Sequence, residues 1–304
     1  MTCTKSKITL DATALDRLIN DPEGVLADPE AFWSGYRAQA LSRRWAEVVG
    51  VDIDYAAWRN QVEAWARLPL EERREHLLVR NYEAIRAAQE SIHELALPHI
   101  CAFMPPGADL SATIRFGTFL PARAFAIEDI VFNIAAPYWR GNPSNILNQI
   151  VHEIGHVGYG YCREVGRPDE HPDKAVAGVL GMVQNEGLCS YIAYTAQHIY
   201  PAPDDVDFHL ADDPGAVERL FADVDEILAG TQTLAEPELD KLIWDKGVMD
   251  RAAYIVGLRM CELIDRRLGR QALIQSLLDG PSAFTRVYNG IAPADRLVAA
   301  RFLD

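Results

Sequence analysis

Two histidines four residues apart, with a glutamate directly after the first, form the segment His152-Glu153-Ile154-Gly155-His156 of this 304-residue chain. In a helix, positions four apart lie one above the other, about 6 Å along the axis. Two imidazoles placed in this way can both reach one tetrahedral zinc ion. Glu153 lies about 100° around the helix from His152. It stands beside the ion without ligating it, where it can take a proton from water. The chemistry implied is hydrolysis, with zinc as Lewis acid and Glu153 as general base.

Catalytic zinc sites commonly use three protein ligands and leave the fourth position to water. One HExxH subclass takes its third ligand from a histidine six residues after the second, with a glycine between. Here those places hold Tyr159 and Cys162, and Gly158 and Gly160 miss by one. That pattern does not apply, although the Cys162 thiol is a possible soft ligand. The stronger candidate is Glu186, thirty residues after His156, in Asn185-Glu186-Gly187-Leu188-Cys189-Ser190-Tyr191. A carboxylate in so apolar a helix is costly unless it is paired or bound to a metal. The competing reading is a buried ion pair with an arginine. Gly187 removes a side chain where a second helix could approach closely.

These residues need elements to position them. Asn142 and Pro143 form a plausible cap and first turn for a helix over Pro143–Gly158, with Ile146, Leu147, Ile150, Val151, Ile154 and Val157 apolar. Further helices are expected over Asp173–Tyr200, Pro214–Leu228, Pro237–Lys246, Asp250–Leu268 and Gln271–Leu278, with Gly269 and Gly280 at helix ends. Pro201–Asp213, rich in Pro and Asp, reads as a surface loop. Before the motif, His99–Met104, Ala112–Leu120 and Ile130–Ala135 read as strands of a small sheet. The first third reads as helices. One runs from Asp28 and Pro29 through Phe32, Trp33, Tyr36, Leu41, Trp45 and Val48 to Gly50. A second starts at Asp54 and carries Tyr55, Trp58, Val62 and Trp65 on one face, and a third runs from Pro69 to Leu95, stopped by Pro98. The aromatic stripe is expected to be core.

From about Ile130 to Tyr194 the chain resembles the gluzincins, the thermolysin-like zinc peptidases that take their third ligand from a glutamate on the helix after HExxH. It looks most like bacterial zinc-dependent peptidase families whose motifs run HExxH, Glu-Gly-Leu-Ala-x-Tyr and Tyr-x-x-Gly. The last two correspond to Glu186–Tyr191 and Tyr254-Ile255-Val256-Gly257. The resemblance implies metal ligands His152, His156 and Glu186, with Glu153 as catalytic base. It also implies a tyrosine that steadies the oxyanion: Tyr254, with Tyr191 and Tyr194 as competitors. The strand at Ile130–Ala135 would be a sheet edge holding an extended peptide by β-augmentation. Thermolysin-like chains often carry an acidic residue four positions after the third ligand. Here that position is Ser190, so Asn185 is expected to orient a metal histidine instead. The fold expected is α+β and mostly α-helical. A small mixed or antiparallel sheet precedes a zincin-like HExxH helix and a C-terminal helical bundle. The expected division is an N-terminal helical region over 1–98 and a zincin-like catalytic region over 99–304.

The totals narrow the partners. A formal net charge of −15 speaks against nucleic-acid binding, which needs clustered Lys and Arg. No apolar run reaches the length of a membrane span, and Met1–Leu10 lacks a signal-peptide core. Five widely spaced cysteines without a CxxC pair suit a reducing compartment. The expected protein is cytoplasmic, needs Zn2+ and acts on a peptide or protein substrate. Two other readings remain open: a non-catalytic zinc protein reusing a peptidase fold, and a zinc amidohydrolase acting on a non-peptide amide. His171, between the two metal helices, is a further candidate to line the cleft.

Overall fold

The computed structural model describes residues 6–32, 55–118, 124–126, 130–136, 139, 142–169, 171–296, 298 and 302–303. In chain order the first elements are strand β1 (Ile8–Asp11) and helices α1 (Thr13–Asn20), α2 (Pro22–Ala27), α3 (Tyr55–Arg67), α4 (Leu70–Glu75) and α5 (Leu77–Ala87). Asp28 caps a helical turn as its type suggests, accepting the Ala31 N–H at 3.1 Å. The rest of the helix expected over 28–50 lies outside the described residues. α3 buries Trp58, Val62 and Trp65, and Phe32 stacks on Trp58 at 5.8 Å, so the aromatic stripe there is core.

The helix expected to stop at Pro98 does not stop there. It breaks at His76 and Ala88, widens into a π turn over Ile92–Ala96 and continues as α6 (Leu97–Cys101). In the π turn the Leu97 N–H bonds to Ile92 O, five residues back. Pro98 follows in a first turn, where its missing N–H leaves no regular bond unmade. His99–Met104 is therefore helix and turn, not strand. Cys101 is disulfide-bonded, a departure from the reducing-compartment expectation, whereas Cys162, Cys189 and Cys261 are free and buried.

Three more strands follow: β2 (Ala112–Gly117), β3 (Ala124–Ala126) and β4 (Ile130–Asn133). The sheet order is β1-β2-β4-β3. β1 and β4 run parallel to β2, and β3 runs antiparallel to β4, so the sheet is mixed. β4 is interior and fully buried, as parallel strands covered on both faces are. The edge strands are β1 and β3, so Ile130–Ala135 is not the free edge. β3 instead lies against the next helix.

That helix is α7 (Pro143–Val165), capped by Asn142, whose side chain accepts the Ser144 N–H. It runs two turns past Gly158. After it come α8 (Lys174–Thr195), α9 (Val206–Asp212), α10 (Pro214–Gly230), α11 (Glu236–Leu242), a π turn (Ile243–Met249), α12 (Ala252–Leu268), α13 (Arg270–Leu278) and α14 (Pro281–Asn289). The fold is α+β and mostly helical, as expected. α9 corrects the loop expected over Pro201–Asp213. Asp205 caps it by accepting the Asp207 N–H at 2.8 Å, and Phe208 and Ala211 are buried beneath it. Gly269 and Gly280 both take positive φ, 89° and 101°, where a side chain would be strained. No helix among the described residues is long and apolar enough to cross a membrane.

Close helix approaches place the site. A Cβ on Gly155 would sit 3.1 Å from Cys189 Sγ and 3.3 Å from its Cα, so α7 and α8 pack tightly beside the histidine pair. A Cβ on Gly187 would lie 2.2 Å from Gly257 Cα, so α8 and α12 touch backbone to backbone. Asn148 locks the layers by donating to Ala193 O at 3.0 Å and Tyr200 O at 3.1 Å.

Candidate metal and catalytic site

α7 turns His152 and His156 to one side, with ring centroids 4.9 Å apart. Their Nε2 atoms are 3.2 Å apart. Glu186, from α8, brings Oε2 to 3.5 Å from His152 Nε2 and 3.6 Å from His156 Nε2. Bonds of about 2.0–2.1 Å in a tetrahedral zinc site put ligand atoms about 3.3–3.4 Å apart, close to all three separations. Glu186 Oε2 is buried and, apart from the approach of the two imidazoles, has no partner among the described residues. A buried carboxylate oxygen left so is costly, and a cation between it and the two imidazoles removes that cost. The set of two nitrogens and one oxygen suits zinc. These residues fit a metal ion, and together they are a buried group that could hold one. The arginine ion pair weighed for Glu186 is not formed among the described residues.

The electrostatics agree. Burial alone would raise the Glu186 pKa. The charges of His156, His152 and Arg251 instead hold it down to about 2. Burial likewise opposes a charge on His156, yet Cys189, Glu186 and Glu153 keep its proton affinity well above that of an ordinary histidine. In the metal-free chain the protonated His156 supplies positive charge that the carboxylate otherwise lacks.

The surrounding shell orients these groups. His156 Nδ1–H donates to Asn185 Oδ1 at 2.9 Å, which leaves Nε2 for a metal. Asn185 thus has the place expected of it. Ser190 does not act this way, because its buried hydroxyl has no partner among the described residues. Cys189 Sγ lies 3.3 Å from His156 Nδ1, and burial keeps its pKa raised, so it is a thiol beside the histidine and outside the His152–His156–Glu186 group. Cys162 is buried apart from the site, with its pKa pushed up to about 12 by burial.

Glu153 is buried. Its Oε1 accepts from Gln149 Nε2 at 2.9 Å, while its Oε2 takes no hydrogen bond among the described residues. Gln149 was not singled out from the sequence, although it stands one turn before Glu153 on the same helix face. Among the tyrosines, Tyr191 donates to Asp265 at 2.8 Å and Tyr194 to Asp212 at 2.7 Å, so both hydroxyls are committed elsewhere. Tyr254 stacks its ring on His152 at 6.1 Å and 15°. The Gly187–Gly257 contact explains the Tyr-x-x-Gly spacing, since it brings the turn bearing Tyr254 next to Glu186. His171 is not at this site. It holds the Phe302 carbonyl and the loop before α8. Two residues absent from the sequence reading, Asp207 and Arg251, border the site. Their signal was hidden because Asp207 sits in a stretch whose composition reads as loop.

Residues 71–296 match the family described as "Putative zinc dependent peptidase (DUF5700)". No curated protein matches the chain, and no solved structure does.

Proposed function

The chain belongs to that family, and on this footing we propose that it is a zinc peptidase of the gluzincin type. In this reading His152, His156 and Glu186 are the ligands, Glu153 is the general base and Tyr254 is the oxyanion partner. The observation that carries the reading is the convergence of two Nε2 atoms and an otherwise unpartnered carboxylate oxygen within 3.2–3.6 Å of one another. Zinc held there supplies a Lewis acid for the scissile carbonyl and lowers the pKa of water toward about 7.

The chain's own residues do the rest. Gln149 fixes Glu153 through Oε1, so Oε2 is the atom that takes the proton from the attacking water. As the C–N bond breaks, Glu153 returns that proton to the leaving amine. Tyr254 offers its phenol to the carbonyl oxygen as negative charge builds on it. The peptide lies extended along β3, the edge strand beside α7, whose outer backbone groups can pair with it.

The test is a pair of variants. Glu153→Gln is expected to bind zinc at wild-type stoichiometry and to lower kcat on a cleaved peptide by about 10²–10⁴-fold. Glu186→Ala is expected to lose zinc. Full activity in Glu153→Gln would overturn the base assignment, and undiminished zinc affinity in Glu186→Ala would remove the third ligand.

A further inference from the structure

Arg251 is the one non-glycine among the described residues with positive φ, at 70°. It occupies the N-cap of α12 and makes no side-chain cap bond there. Ser, Thr, Asp or Asn would serve that position better. The left-handed backbone is therefore not explained by capping, and strain of this kind gathers at functional sites. The guanidinium instead turns to Asp207 of α9, with Nε 2.6 Å from Oδ1 and Nη2 bonded to Oδ2. Its central carbon lies 3.2 Å from the Tyr254 ring centroid, and the same ring stacks on His152. Carboxylate, guanidinium, phenol and metal histidine thus form one continuous chain of contacts. Asp207 is buried and Arg251 largely so, with side-chain exposures of 7% and 15%. Apolar residues of similar size often stabilise a fold as well as a buried pair does. A planar fork bonded at two points does something they cannot, which is to fix orientation.

We infer that Asp207 and Arg251 are positioning residues that hold the Tyr254 ring against His152, making α9 part of the catalytic apparatus. This rests on the proposed role of Tyr254, and the experiment separates the two.

Arg251→Met and Asp207→Asn are made in the wild type and in Tyr254→Phe. Each is measured for zinc content, kcat and KM on a cleaved peptide and, in the metal-free protein, the NMR shifts of the His152 ring protons. In the wild type both variants are expected to lower kcat on the order of tenfold, the size usual for coupled neighbours, with zinc content and KM unchanged. In Tyr254→Phe the same changes are expected to cost less than about twofold. In the metal-free protein the ring-current displacement of His152 persists in Tyr254→Phe and is lost in Arg251→Met and Asp207→Asn. An unchanged His152 signal in folded Arg251→Met or Asp207→Asn overturns the inference, as does an equal loss of kcat in both backgrounds. If Tyr254→Phe keeps full kcat, the catalytic role of Tyr254 falls, and the NMR shifts alone decide whether Arg251 and Asp207 position the ring. Asp207→Asn keeps the side-chain shape, so it still reports should Arg251→Met fail to fold.

Discussion

His156 and His171 are histidines flanking the same pair of helices, and their nitrogens meet opposite fates. His171 spends both on backbone: Nε2–H donates to Phe302 O at 2.6 Å and Nδ1 accepts the Asp173 N–H at 3.1 Å. His156 spends only Nδ1, on Asn185, and leaves Nε2 facing His152 Nε2 and the orphaned Glu186 Oε2. A histidine satisfied on both sides ties chain segments together. One satisfied on a single side, beside other unsatisfied donor atoms, is built for something added later. The sequence points to His156 as a metal ligand and to His171 as a residue lining the cleft, and only His156 stands in the His-His-Glu group.

The comparison breaks most readily if the two histidines are exchanged for alanine. Zinc binding to small metal domains is worth about 10–16 kcal/mol over three or four ligands. His156→Ala is therefore expected to weaken zinc by about 10²–10⁴-fold. The metal-free protein is expected to melt lower as well, because Glu186 loses a positive partner. His171→Ala is expected to leave the metal group untouched. Zinc affinity and kcat hold, while stability drops by about 1–3 kcal/mol from a buried carbonyl and N–H left unpaired. Isothermal titration with zinc and calorimetric melting of the two variants measure both arms. A zinc defect in His171→Ala would erase the distinction.

The next expectation is smaller and concerns the one bond that His156 does make. Asn185→Ala removes the acceptor of Nδ1–H while leaving His152, His156 and Glu186 in place. Loss of such an outer partner typically costs about 10–100-fold in metal affinity or activity. Competition with a zinc chelator, run beside wild type, reads the change. A variant that binds zinc as tightly as wild type would mean that the helix alone orients the ring.

Much of this site follows from local rules. Two histidines and a glutamate at helical spacing and an Asn-Pro start depend on neighbours within a turn or two, and they lie on the helix that their spacing predicts. What was not legible depends on distant partners. β1 joins the sheet through a parallel register set about a hundred residues away, Ile8 against Ala112. Whether β3 or β4 forms the sheet edge is decided by which strand covers which, and the alternation within either strand does not encode it. Asp205 and Asp207 made a helix read as loop because aspartates that cap helices or pair with buried arginines look the same in composition as those facing water. Pro98 marked a helix end that a π turn upstream removes.

A third histidine extends the comparison to one whose proton, rather than its metal, matters. His76 caps α5 by accepting the Leu78 N–H on Nδ1 at 3.1 Å, and its ring meets Trp65 edge-on at 5.1 Å. A protonated Nδ1 cannot accept that bond. Burial lowers the His76 pKa below its ordinary 6.5, so the unfolded chain takes up the proton more readily than the folded one. The resulting stability is fully present above about pH 6.5 and is lost as pH falls through the folded-state value. Asn keeps a capping acceptor and does not titrate. His76→Asn is therefore expected to lose less stability than wild type between pH 7 and pH 5, in urea unfolding of the metal-free proteins. His156, whose raised pKa works in the opposite direction, is common to both chains and cancels in the difference. Parallel stability curves would show that the His76 cap is not what acid disturbs.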